Sequence, residues 1–109
     1  GSKHVATALL TVSKKYPKIH SAINLKYKKE TISKIKKLKL ATYDYNRSEE
    51  PQGVKIKGST IAWGIKTAIK NSRKMPDVIY HKGDFGKEPM ILVFAETPDI
   101  IIKKIMKII

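Results

Sequence analysis

Residues 80–90, Tyr-His-Lys-Gly-Asp-Phe-Gly-Lys-Glu-Pro-Met, set two glycines, two lysines and two carboxylates between the apolar runs Val78-Ile79 and Ile91-Leu92-Val93-Phe94. Lys82 and Lys87 supply cations for an anion, while Asp84 and Glu88 supply oxygens that hold a metal ion or fix those lysines. Gly83 and Gly86 permit positive φ and close approach of backbone to a ligand. The same composition also suits a tight hairpin with solvated charges. His81 follows an apolar run and opens the segment, so it can line a site formed there.

Two further clusters carry chemistry. Ser2, Lys3 and His4 stand at the start of a segment with helical apolar spacing. A helix N-terminus presents unpaired N–H groups and a partial positive charge, so three added side-chain donors make a phosphate cradle there. The plainer reading has Ser2 as the cap, with Lys3 and His4 solvated. Arg47, Glu49 and Glu50 form the other cluster. Arg47 can grip a phosphate in a bidentate fork. Neighbouring acids can share Mg²⁺ with a diphosphate, an arrangement that magnesium prefers to an all-protein cage. A loop ion pair accounts for the same residues without a ligand. His20 reads as a surface residue and Trp63 as core, while Tyr43, Tyr45 and Tyr80 either pack or stack on an aromatic ligand.

Composition excludes several classes. There is no cysteine, which rules out disulfides and thiolate zinc sites. No phosphate-binding P-loop, dinucleotide fingerprint or H-E-x-x-H is present. No run approaches the ~20 apolar residues of a membrane span, and nothing resembles a signal peptide, so the expected partners include no membrane and the expected location is cytoplasmic. The formal net charge of +14 rests on lysine, with arginine only at Arg47 and Arg73. Such a field attracts nucleic acid or polyphosphates. The lysines are spread along helices rather than clustered, which favours a solvated, compositionally biased surface of the kind thermophiles show. No base-stacking motif supports nucleic acid as a partner of this domain alone.

The elements that must position these groups follow from periodicity. Residues 3–15 read as a helix closed by Pro17, and residues 19–27 as a strand with Ser21, Ile23, Leu25 and Tyr27 on one face. Residues 30–39 form a second helix, 40–45 a strand, and 46–58 a polar loop. Ser59 or Thr60 caps a helix running to about Ser72. Strands over 77–81 and 90–95 flank the glycine-lysine segment, and Thr97-Pro98-Asp99 starts the last helix, through Ile109. The order α-β-α-β-α-β-β-α predicts one layered domain over residues 1–109, α/β or α+β, with helices packed on a mixed sheet.

Three motifs in order give a resemblance. Gly83-Asp84-Phe85-Gly86-Lys87-Glu88-Pro89-Met90 resembles the G-D-x-G-K-E-P-M signature of the ThiN-type thiamine-phosphate synthase domain, known mainly from archaea. Ser2-Lys3-His4-Val5-Ala6 resembles its S-K-H-V-A helix start, and Arg47-Ser48-Glu49-Glu50-Pro51 its R-x-E-E-P loop. The resemblance implies a three-layer α/β/α fold with a mixed, mostly antiparallel sheet, similar to class II aldolases. It implies that these 109 residues correspond to a C-terminal portion, since the family domain carries an upstream segment with a G-R-I-V-like stretch. It further implies synthesis of thiamine phosphate from hydroxymethylpyrimidine diphosphate and thiazole phosphate, with His4 on the histidine regarded as catalytic. Ser2, Lys3, Arg47, Lys82, Gly86, Lys87 and Glu88 then bind phosphorylated substrates, and Glu49, Glu50 and Asp84 hold Mg²⁺. The family domain also occurs fused to a pyrimidine kinase, or to a helix-turn-helix segment as a ligand sensor for a transcriptional regulator. That sensor is the alternative to the enzyme, and a homo-oligomer is compatible with either.

Overall fold

The computed structural model describes residues 2–58 and 60–109 and, at Ser2, the backbone alone. The cap expected at Ser59 and the side-chain role expected for Ser2 therefore lie outside the described residues. The chain runs through helix α1 (Ser2–Lys15), strand β1 (Ser21–Leu25), α2 (Lys29–Lys37), β2 (Thr42–Asp44), a 3-10 turn at Arg47–Glu49, α3 (Gln52–Ile56), α4 (Thr60–Ile69), β3 (Val78–His81), β4 (Met90–Ala95) and α5 (Pro98–Ile108). No helix among the described residues is long and apolar enough to cross a membrane.

The strands pair in the order β1-β4-β3-β2. β4 is antiparallel to both β1 and β3, whereas β2 is parallel to β3. Three strands thus point one way and β4 the other, as the mixed sheet implied by the resemblance requires. Every residue of β3 and β4 is buried. Alternate side chains enter opposite layers, which is why these strands read as unbroken apolar runs. Ile79, Leu92 and Phe94 pack with Ala8 and Val12 of α1 and Ile65 and Ile69 of α4. Val78, Ile91 and Val93 pack with Ile32 and Ile35 of α2 and Ile101 and Ile108 of α5. Each such side chain contributes about 1.5–3 kcal/mol by leaving water, which commits both faces of the sheet to a helical layer.

Asp77 locks the strands in register just before β3. Its backbone N–H donates to the Ala41 carbonyl at 2.8 Å, and its Oδ2 accepts from the Ala41 N–H at 2.7 Å. Lys104 of α5 pairs with Asp77 Oδ1 at 2.7 Å and donates to the Phe94 carbonyl at 2.6 Å. One carboxylate therefore joins β2, β3 and α5, and the lysine extends that tie to β4.

Several boundaries differ from the sequence reading, each for a local reason. α2 stops at Lys37 because Lys39 takes φ 59°, the left-handed conformation that ends helices. α4 stops at Ile69, where Lys15 donates to the carbonyls of Ile69 (2.7 Å) and Ser72 (3.2 Å) and so satisfies its last turn from another helix. The polar loop over 46–58 is instead a 3-10 turn followed by α3. The Asn46 side chain accepts from the Ser48 N–H at 2.9 Å, and Pro51 at φ −63° leads into α3. α3 buries none of its residues, so it leaves no apolar periodicity in the sequence.

The long connection between β3 and β4 narrows at its tip, where Asp84 and Lys87 exchange backbone hydrogen bonds at 3.2 and 2.8 Å. Gly86, at φ 71°, takes the third turn position, as a type II turn demands. The segment is an antiparallel hairpin whose apex, Phe85, is 99% exposed.

Gly64 fixes how closely α4 approaches the sheet. A Cβ there would overlap Cε2 and Cζ of the buried Tyr45 ring. In an exposed helix interior, Gly→Ala gains about 1 kcal/mol. Here the overlap with a locked ring outweighs that gain, and overpacking costs about 1–3 kcal/mol. We therefore expect Gly64→Ala to lower the unfolding free energy by about 1–2 kcal/mol in urea denaturation. A stabilised variant would show that Tyr45 moves freely.

Candidate active site

The direction of the strands decides where functional groups gather. The C-terminal ends of β1, β2 and β3 lie at one end of the sheet, where open α/β sheets place their ligands. The α1 start and the first turn of α4 line cavities at the same end. No acidic residue occupies the first turn of α1 to offset its positive end.

Two cavities meet there. One, of about 430 Å³, is lined by Lys3, His4 and Thr7 of α1, by Arg47, and by Thr60 and Ile61 of α4. The other, of about 350 Å³, shares His4, Arg47 and Ile61 and adds Asn24, His81, Gly86, Lys87 and Glu88. The motif residues Lys3, His4, Arg47, Gly86, Lys87 and Glu88 are thus brought to one cleft. Lys82 is not among them. It lines another hollow, of about 290 Å³, with Asp44, Tyr45, Arg47 and Gly83.

Glu50 organises the cations. Its side chain is 1% exposed, and Oε1 lies 3.5 Å from Arg47 Nε and 3.4 Å from Lys87 Nζ. Its Oε2 accepts a hydrogen bond from the Thr60 hydroxyl. Lys87 Nζ also reaches the Arg47 carbonyl at 3.4 Å. Burial alone would raise the Glu50 carboxyl. The hydrogen bonds from Thr60 and Lys87, and the charges of Arg47 and Lys87, outweigh burial and hold it below its ordinary value. It is an anion that stands behind both cations, hydrogen-bonded to Lys87 and ion-paired with Arg47, whose buried Nε finds no hydrogen-bond partner among the described residues.

This geometry bears on the expected metal ligands. Among the described residues, no three His, Asp or Glu side chains converge on a point that could hold a metal ion. Glu49 and Asp84 are exposed on separate turns, and Glu50 is committed to Arg47, Lys87 and Thr60. Among the described residues these side chains form no all-protein cage for a metal ion.

Three participants carried little or no sequence signal. Thr60 reads as a helix cap, yet its hydroxyl donates to Glu50. Asn24 stands opposite Leu92 and lines the cleft, and its polar side chain between Ile23 and Leu25 was the one available sign. Tyr45 is 5% exposed, its hydroxyl is buried with no hydrogen-bond partner among the described residues, and its ring meets Trp63 edge-on at 5.8 Å. Burial raises its phenol to about 12, with Glu50 adding to the rise and Arg47 opposing it.

Comparison with known proteins identifies the family of the chain. The family Thiamine-phosphate synthase ThiN matches residues 1–107. Over 111 residues the chain is 37% identical to Thiamine-phosphate synthase ThiN of Methanothermobacter thermautotrophicus, covering 97% of this chain and 58% of that protein. It is 39% identical over 104 residues to the Bifunctional thiamine biosynthesis protein ThiDN of Methanocaldococcus jannaschii, covering 95% of this chain and 24% of that one. The crystal structure of the C-terminal domain of phosphomethylpyrimidine kinase superposes with a TM-score of 0.89 at 45% identity, covering 97% of this chain and 60% of that one. The chain therefore spans less than two thirds of each of these relatives. On the family match and these identities, the chain belongs to the ThiN family of thiamine-phosphate synthases.

Proposed function

We propose that this chain carries the phosphate-handling cleft of a thiamine-phosphate synthase. The reaction joins hydroxymethylpyrimidine diphosphate to thiazole phosphate and releases pyrophosphate. The observation that carries this reading is the cleft in which Lys3, His4, Arg47 and Lys87 converge beside the α1 start. The bifunctional relative and the kinase-derived structural neighbour support a pyrimidine kinase as its fused or functional partner.

The chemistry asks for charge stabilisation at a departing group. The thiazole nitrogen donates its electron pair to the pyrimidine methylene carbon, and the carbon–oxygen bond to the diphosphate breaks. Negative charge grows on the leaving oxygen, and fixed cations in a water-poor cleft stabilise it far better than mobile ones in solvent. Arg47 and Lys87 supply such cations, held by Glu50 rather than reorganised during the reaction. His4 and the α1 N–H groups bind phosphate oxygens at the other wall, with His4 placed to hand a proton to the leaving group. A magnesium ion arriving with the diphosphate would add positive charge at the leaving group.

His4→Ala in the intact protein should reduce synthase turnover by about 10²–10⁴-fold. Its thermal midpoint should remain near that of the parent, because His4 is exposed at the start of α1. Parental turnover would remove His4 from the reaction. Lys87→Met should weaken pyrophosphate more than inorganic phosphate in calorimetric titration, because the diphosphate has more charge to lose. Equal weakening would place Lys87 in a structural role only.

A further inference from the structure

His81 is a titratable group in the cleft that the reaction above does not use. It ends β3, is 2% exposed, and lines the cavity shared by His4, Arg47 and Lys87. The Gly83 N–H donates to its Nδ1 at 3.1 Å, and Gly83 holds this turn at φ 81°. The Tyr45 ring packs on it with centroids 5.1 Å apart. A neutral imidazole has one accepting and one donating nitrogen. With Nδ1 accepting, the proton resides on Nε2, for which no protein acceptor is seen among the described residues.

The surroundings keep the ring uncharged. Burial, then the charges of Arg47 and Lys87, push His81 down to about 4. Of the other groups nearby, Glu50 is ion-paired with those same cations, His4 faces from α1, Glu88 lies on the exposed hairpin, and the Tyr45 phenol stays protonated. A group serving a phosphate gains from being cationic, and the fold arranges the opposite here.

We propose that His81 is a specificity-determining residue that offers a neutral Nε2–H to a ring nitrogen of the pyrimidine substrate. This rests on the reading of the cleft given above. The thiazole nitrogen must keep its electron pair free to attack, so a donor bound to it would block the reaction. That leaves the pyrimidine ring nitrogens as acceptors. An imidazolium there would oppose the positive charge that builds on the methylene carbon as diphosphate departs, whereas an uncharged donor orients the ring without that penalty. A buried donor also rejects a ring that lacks the acceptor, because the N–H is then left unpaired.

The test uses the intact protein with His81→Phe and His81→Gln, the second retaining an N–H donor. Pyrophosphate affinity, KM for hydroxymethylpyrimidine diphosphate, and the imidazole ¹⁵N shifts of the parent between pH 8 and pH 4 are measured. We expect the neutral Nε2–H tautomer down to about pH 4. We also expect at least a tenfold rise in KM for His81→Phe, pyrophosphate affinity within twofold of the parent, and partial recovery in His81→Gln. Equal loss of pyrophosphate and pyrimidine binding would make His81 an anion contact and overturn the inference. So would an unchanged KM in a folded variant, or an imidazolium at pH 7. If His81→Phe fails to fold, His81→Gln and the parent's tautomer decide. Failure of the parent to bind pyrophosphate would instead overturn the reading of the cleft itself.

Discussion

A carboxylate almost wholly removed from water holds the functional end of this molecule together. Glu50 touches the 3-10 turn through Arg47, the first turn of α4 through Thr60, and the β3–β4 hairpin through Lys87. The 3-10 turn and the hairpin are polar and largely exposed, so apolar burial does little to bring them together. Removing one partner of such a set leaves buried charge uncompensated, which costs about 3–5 kcal/mol, so the set persists as a unit. Its consequence is chemical. Two cations that would repel one another in an anion site are held side by side by a negative charge behind them.

The packing beneath serves that arrangement. β3 and β4 are buried on both faces and tie the helical layers together, so their ends at His81 and Met90 are fixed points from which the hairpin springs. Tyr45 fills the space below the cleft, with Gly64 on one side, Trp63 edge-on and the His81 ring against it. The same ring thus sets the depth of α4 and the position of the buried histidine. Hydrophobic burial, a tolerance at one glycine and the geometry of the cleft are consecutive steps of one cause.

Much of this was legible in the sequence. The 3–4 spacing of Val5, Ala8, Leu9 and Val12 gave α1, and Thr97-Pro98-Asp99 gave the start of α5, where the Thr97 hydroxyl accepts from the Ile100 N–H at 3.2 Å. The apolar run over residues 90–95 coincides with β4. The two ends of the motif set, His4 and Lys87, were named from residue type and resemblance, and both line one cleft. What escaped lacked a local signature. α3 buries nothing, so no period marks it. Glu49 and Glu50 adjoin along the chain, yet the fold turns Glu50 inward and leaves Glu49 and Asp84 exposed. Pairing between Glu50 and Lys87 spans 37 residues, and only tertiary structure can reveal it.

The central claim is that Glu50 acts by placing Arg47 and Lys87, and its sign can be measured. Calorimetric titration of pyrophosphate into the intact protein and its Glu50→Gln variant, at one ionic strength, separates the two possibilities. If Glu50 were only a negative charge near an anion site, removing it would tighten pyrophosphate binding. Because it organises the cations, the account predicts binding weaker by about tenfold, or roughly 1.4 kcal/mol. Unchanged or tighter binding in a folded Glu50→Gln protein would contradict it.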